Sequence, residues 1–301
     1  MSQVAQLSSA PAGADVVAAL TFIVPQDNKP VFHSTALTGG TQKLFFETES
    51  IDVPIADMRP LSEDLSIDRE GFELLRHTTA VADLYDDDAI ENRYFPEVEA
   101  LLNARFDADR TVVFDATRRS DSEDGAPNPD GLRGPAVRVH VDYTVKSGPQ
   151  RVADILGEDE AKRLAENGAR IVQVNVWRPI SGPVRRSPLA LADASSIGAG
   201  ELVATDQVFP DRIGEIYQVA HAPTQRWYYA PEIGPGEVIL IKGWDSVDDG
   251  RARFTPHGAF SFPRTPADAP PRESIEVRAL VVIENADAAR DNRDSGGRGW
   301  D

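Results

Sequence analysis

Between Val137 and Tyr143 the chain alternates, with Val137, Val139, Val141 and Tyr143 separated by Arg138, His140 and Asp142. Alternation of this kind predicts a strand over 138–144 whose two sets of side chains leave opposite faces. Similar alternation, or short apolar runs bounded by turn residues, predicts strands at 20–24, 31–32, 43–53, 111–114, 171–177, 215–219, 226–229, 237–242 and 274–283. The period changes after Asp86–Asp88, where Ile90, Tyr94, Val98, Leu101 and Leu102 recur at helical spacing and predict a helix over about 89–104. A second helical stretch, 149–167, is broken by Gly157 and ended by Gly168, so it reads as two short helices. The polar segment 118–134, with Gly and Pro, reads as an exposed loop.

Many strands with Gly and Pro turns between them, and few helices, predict a mainly β fold with helical support, a sandwich or jelly roll. Strict strand–helix alternation is absent, and no Gly-rich phosphate loop follows a strand, so a dinucleotide-binding fold is excluded. Residues 1–15 and the charged, Gly-rich 285–301 are expected to be disordered, leaving 16–284 as one domain.

Composition narrows the chemistry. There is no Cys, so disulfides, thiolate metal sites and cysteine nucleophiles are excluded, and any metal must be held by His, Asp or Glu. Only five His exist, which makes the candidate ligands few. A net charge of −18 argues against nucleic acid or an anionic membrane as partner. Nothing approaches a membrane span or a signal peptide, so a cytoplasmic protein acting on a small molecule is expected, with oligomeric state open.

On the 138–144 strand His140 and Asp142 are two apart and project from one face, which supplies two of the three ligands of a facial iron site. His257 lies far downstream, between Pro256 and Gly258, and is expected at a turn. Beyond it, Arg272, Ser274, Glu276 and Arg278 share one face of the last strand, and Ile275, Val277, Ala279 and Val281 share the other. Such a polar face lines either solvent or an internal site. His33, His77 and His221 have no partner in any motif and read as surface or structural residues.

His-x-Asp, a distant His, then Arg-x-Ser resembles the iron(II)/2-oxoglutarate-dependent dioxygenases. Within them the chain is similar to the family of a cephamycin methoxylation component, a fungal meroterpenoid endoperoxidase and gibberellin-desaturase-like proteins. The matching stretches are 71–74 (GFEL), 139–144 (VHVDYT), 175–179 (NVWRP), 187–193 (SPLALAD), 226–229 (RWYY), 252–257 (ARFTPH) and 270–279 (PPRESIEVRA). The resemblance implies a double-stranded β-helix (jelly-roll) core, Fe(II) held by His140, Asp142 and His257, and 2-oxoglutarate and O₂ as cosubstrates. It also implies that Arg272 and Ser274 hold the distal carboxylate of the keto acid. Arg278 competes with Arg272 for that role, and the two sit roughly 20 Å apart along a strand, too far to grip one carboxylate.

Tyr143, Trp177 and Arg178 are the candidate substrate-facing residues. A tryptophan such as Trp177 is more often core than substrate wall, and Arg178 equally suits a carboxylate on a neighbouring strand. The implied activity is oxidation of a C–H bond of a small molecule in specialised metabolism, with hydroxylation favoured over desaturation. Two alternatives stand beside it: a jelly-roll enzyme using a divalent ion as Lewis acid without O₂, and a non-catalytic small-molecule-binding module.

Overall fold

The computed structural model describes residues 15–39 and 42–284. The disorder expected over 1–15 and 285–301 therefore lies, Asp15 apart, outside the described residues. Two sheets face each other in a jelly roll. The smaller is antiparallel, in the order Phe72–Arg76, Glu237–Asp245, Arg170–Pro179, Glu273–Ile283 and Arg110–Ser120. The larger has ten strands and runs from Val16–Ile23 at one edge to Lys43–Leu44 at the other.

The smaller sheet works on both faces because its strands alternate two kinds of side chain. Val172, Val174 and Val176, with Ile275, Val277, Ala279 and Val281, pack outward against Ile90, Tyr94, Val98 and Leu102 of the long helical stretch. That stretch runs through Asp87–Ala89, Ile90–Tyr94 and Phe95–Phe106, and Ile90–Tyr94 forms a wide π turn. Pro96 accounts for the widening: it has no N–H and its ring crowds the carbonyl four residues back, so the Phe95 N–H bonds five back to Ile90 O. Asp86 caps the start by accepting from the Ala89 N–H. The opposite, inward face of the sheet carries Gln173, Asn175 and Trp177, and Ser274, Glu276 and Arg278 beside them. The helices Ser147–Leu156 and Glu158–Glu166 cover one end of this interior, packing on Ile171, Trp244, Leu280 and Val282.

Several expectations change. The strand predicted over 138–144 is regular only through His140–Val141, with an isolated bridge from Arg138 to Thr21, because Thr144 turns the chain: its hydroxyl accepts from Lys146 and Ser147 N–H and starts the next helix. The single strand expected over 43–53 is broken, Lys43–Leu44 pairing with Phe32 and His33, and Thr48–Asp57 with the first strand. The expected loop 118–134 instead begins as strand through Ser120 and continues as a hairpin, Ala126–Asn128 with Gly131–Arg133. Arg118 is tolerated there in a buried position because it bonds Tyr85 O and pairs with Asp87. His257 is not in a turn but opens the strand His257–Ala259, and Leu189–Ala192 and Leu202–Val208 are further strands.

In the ten-stranded sheet, His257–Ala259 meets His140–Val141 through one residue pair, His257 opposite His140. A hydrogen bond from Ala259 N–H to Ala136 O lies beside that rung. The rung joins two runs of five strands, which also meet where Thr21 of the first strand bridges Arg138 and accepts from the Val139 N–H at 2.9 Å.

Candidate metal and cosubstrate centre

Opposed positions on neighbouring strands project from one face, so His140 and His257 lie together, ring centroids 4.6 Å apart. Each ring is anchored the same way. His140 Nδ1 lies 2.8 Å from Arg138 O and His257 Nδ1 3.0 Å from Thr255 O. A carbonyl only accepts, so both Nδ1 atoms carry the proton and both Nε2 atoms keep a lone pair directed inward. Gly71 supports this anchor: its carbonyl accepts from the Thr255 hydroxyl at 2.7 Å, and at φ +88° a Cβ there would stand 2.2 Å from Thr255 Oγ1. His257 is buried, and burial, with His140 second, moves its pKa below the usual imidazole value and favours the neutral ring.

Asp142 completes the group, one carboxylate oxygen 3.5 Å from His140 Nε2. The ligand atoms of His140, Asp142 and His257 all fall within 4.8 Å of one another. The other oxygen, Oδ2, accepts from Asn175 Nδ2 at 2.8 Å and from Arg278 Nε at 3.0 Å. Asn175 and Arg278 reach it together because they are cross-strand partners. The Asn175 amide is oriented in turn by Gln173, whose Nε2 donates to Asn175 Oδ1 at 2.5 Å. Gln173 fits only because residue 243 is Gly: a Cβ there would lie 1.7 Å from Gln173 Oε1. Burial alone would raise the Asp142 carboxyl, but the Arg278 guanidinium outweighs it and holds the group well below the usual range, as an anion. Two neutral imidazoles and one carboxylate oxygen on one side of a space suit a divalent first-row metal with open positions opposite.

The last strand resolves the two arginines. Arg278 is committed: it pairs with Asp142, with Asp115 at 2.6 Å and with Glu276. It is therefore withdrawn as a candidate for the keto acid. Arg272 is 3% exposed and has no carboxylate within ion-pair distance among the described residues. Its Nη1 donates to Ser187 O at 2.7 Å, its guanidinium lies 5.9 Å from the Trp177 ring centre, and its buried Nε has no partner. Burial, with Arg119 second, lowers its pKa to about 10. Ser274 stands on the same inward face, its hydroxyl making one long contact, 3.5 Å, to Arg119 O.

Of the three substrate-facing candidates, Trp177 lies on the inward face beside Arg272. Arg178 does not, because adjacent residues of a strand face opposite ways. It is fully buried on the helix side, donating to Tyr94 Oη at 2.9 Å, to Pro235 O and to His77 Nδ1, and it fastens the helix to the sheet. Tyr143 packs in the cluster with Trp244 and Phe254 under the helix pair, and burial pushes its hydroxyl up to about 12. Besides holding Arg178, His77 has no place in the centre; His33 and His221 pack on Phe45 and Phe22. Asn175 and Gln173 were not singled out from sequence. Their signal was two amides alternating with Val172, Val174 and Val176 in a strand buried at every position.

Residues 20–282 match the family model described as an oxidoreductase/YMDC permease-like domain. The chain is 31% identical over 270 residues to hydroxylase/desaturase efuI of Hormonema carpetanum, covering 82% of this chain and 88% of that protein. It is 32% identical over 258 residues to the Fe(II)/2-oxoglutarate-dependent dioxygenase nvfI of Aspergillus novofumigatus, covering 83% and 89%. Among solved structures, the iron and alpha-ketoglutarate-dependent endoperoxidase NvfI superposes with a TM-score of 0.79 at 29% identity, over 89% of this chain and 98% of that one.

Proposed function

The chain belongs to the iron(II)/2-oxoglutarate-dependent dioxygenase family, and from that premise we propose that His140, Asp142 and His257 hold the iron and Arg272 and Ser274 the far carboxylate of 2-oxoglutarate. One observation carries this reading. Two Nε2 atoms and a carboxylate oxygen converge within 4.8 Å of one another, and a buried guanidinium with an unpartnered Nε stands on the same interior. The donor set fits Fe(II), and the guanidinium fork fits a carboxylate.

The bound iron supplies the place where keto acid and O₂ meet and the oxidising power for a C–H bond. The overall change is substrate, 2-oxoglutarate and O₂ to oxidised substrate, succinate and CO₂. The protein's own residues do the positioning. Arg138 O and Thr255 O keep each Nδ1 protonated, so both Nε2 atoms stay available. Asn175 and Arg278 occupy Asp142 Oδ2 and leave Oδ1 toward the histidines, which favours binding through one oxygen. Arg272 neutralises the keto acid's remote charge in a site with little water, and Trp177 walls it.

A Lewis-acid enzyme without O₂ would give Arg272 no ligand. A single folded unit over 16–284 is proposed to carry the activity, on a small molecule, in the cytoplasm. No described helix is long and apolar enough to cross a membrane. Hydroxylation is the proposed outcome, since it needs no further positioned group. Fe(II), 2-oxoglutarate and O₂ added to the metal-free protein should release succinate; no release above the metal-free control overturns the reading. Turnover under ¹⁸O₂ then tests the outcome, because a product two hydrogens lighter and unlabelled means desaturation.

A further inference from the structure

The face of the large sheet that bears the histidines continues well beyond them. His140 stands opposite Gln218, Gln218 opposite Val203, and Gln207 opposite Phe32. Cross-strand partners, and residues two apart, share a face, so one wall runs from the histidine pair through Gln218, Val203, Thr205 and Gln207 to Phe32.

Arg138 lies across this wall. Its guanidinium is 5.1 Å from the Phe32 ring centre and 5.8 Å from that of Phe46, and Nη2 donates to Gln42 Oε1 at 2.8 Å. Its Nε is buried without a partner. No carboxylate among the described residues makes an ion pair with it, in a chain holding 49 Asp and Glu against 31 Lys and Arg. A half-buried cation left without a counter-ion is costly, and two ring faces replace one only in part. Arg278, on the facing sheet, shows the alternative, with three carboxylates around it. The carbonyl of Arg138 also holds His140, so its side chain starts next to the metal ligands.

We propose that Arg138 binds a carboxylate of the molecule that is oxidised, and that the substrate is an organic acid with an apolar body lying along Phe32 and Phe46. The inference rests on the reading of the iron centre given above, in which Arg272 already provides for 2-oxoglutarate. A second anion therefore has Arg138 to itself. The planar guanidinium, whose buried Nε has no acceptor, suits a carboxylate. A phosphate monoester carries more charge, and none of the wall residues named supplies a second cation.

The test uses the full chain loaded with Ni(II) in place of iron and saturated with 2-oxoglutarate. Tryptophan fluorescence would follow titration with two matched pairs, decanoate against decanol and abietate against abietinol, and with decyl phosphate. The wild type should bind each acid about tenfold or more tightly than its alcohol, as a charged contact predicts. Arg138→Gln should bring each pair within about twofold while alcohol affinity is kept, and Arg138→Lys should retain part of the preference. Equal binding of acid and alcohol by the wild type, or a preference surviving in Arg138→Gln, overturns the proposal. Tighter binding of decyl phosphate than of decanoate overturns the carboxylate. Repeating the titrations without metal and keto acid separates the two readings. Failure of 2-oxoglutarate to bind the Ni(II) form overturns the iron centre, and loss of the wild type's acid preference when metal and keto acid are absent overturns the role of Arg138.

Discussion

The strand Arg170–Pro179 meets two buried polar clusters, and they are built in opposite ways. At its start, Arg170 and Lys242 face Asp68 and Asp245. Lys242 Nζ donates to Asp68 at 2.7 Å, Asp245 at 2.9 Å and Ala252 O at 2.9 Å, while Arg170 pairs with both carboxylates. With Arg251 3.5 Å from Asp68, three cations meet two anions, and all three ammonium donors are taken. Five residues on, Asn175 meets Asp142, in a cluster where two Nε2 atoms and a carboxylate oxygen converge within 4.8 Å, His140 and Asp142 being 3.5 Å apart. Lys242 and Asp245 have no side-chain exposure, and His140 and Asp142 only 14% and 13%, so burial alone does not account for the difference. Completion does: a closed network holds the sheet together, and an open one waits for a ligand.

The sharpest way to break the contrast is to remove one member of each. His257→Ala should abolish iron binding and succinate release while leaving a folded protein, read by metal analysis and circular dichroism. A variant with full iron occupancy would put the open cluster's ligands elsewhere. Asp245→Asn should do the reverse, because removing one partner from a buried charge group costs about 3–5 kcal/mol. Denaturant midpoints would show it, and the folded fraction should still bind iron.

Within the open cluster, Arg272→Gln should raise the 2-oxoglutarate concentration needed roughly 10- to 100-fold, the loss of a charged hydrogen bond being about 1.5–3 kcal/mol. Arg278→Gln should act first on iron affinity. If titrations give the opposite order, the commitments of the two arginines have been exchanged. The smallest effect is on acid stability. Burial would raise the Asp68 carboxyl, but Lys242 and Arg170 hold it well below the usual carboxylate range. An unfolded Asp68 therefore takes up a proton first, and its contribution, complete above about pH 4, falls away as the pH drops further. Asp68→Asn should flatten that acid limb in melting curves taken from pH 5 to 3.

What could be read from sequence follows the same division between local and distant causes. Alternation placed the valines of 171–177 and the two faces of the last strand, and it put His140 beside Asp142. It failed for Leu189–Ala192, buried on both faces and so without a period, and for Leu202–Val208, mostly half-buried. His257 was legible only through resemblance, since three residues, His257–Ala259, leave too short a pattern. Arg178 shows a subtler error: a residue next to Trp177 cannot share its face, and the strand period excludes it. The amide chain Gln173–Asn175–Asp142 and the missing partners of Arg272 and Arg138 arise from contacts between distant segments, which no local pattern encodes.

The single His140–His257 rung has a mechanical meaning. It is the narrowest step in the strand order of the ten-stranded sheet, where one residue pair and a neighbouring hydrogen bond join two runs of five strands that otherwise meet through the Thr21–Arg138 bridge. A metal gripping both imidazoles would act there as a rivet, carrying load that the backbone ladder does not. The metal-free protein should then breathe at this seam first, its amides near 138–142 and 257–259 exchanging with solvent sooner than the strands on either side, and loading the metal would close the tear.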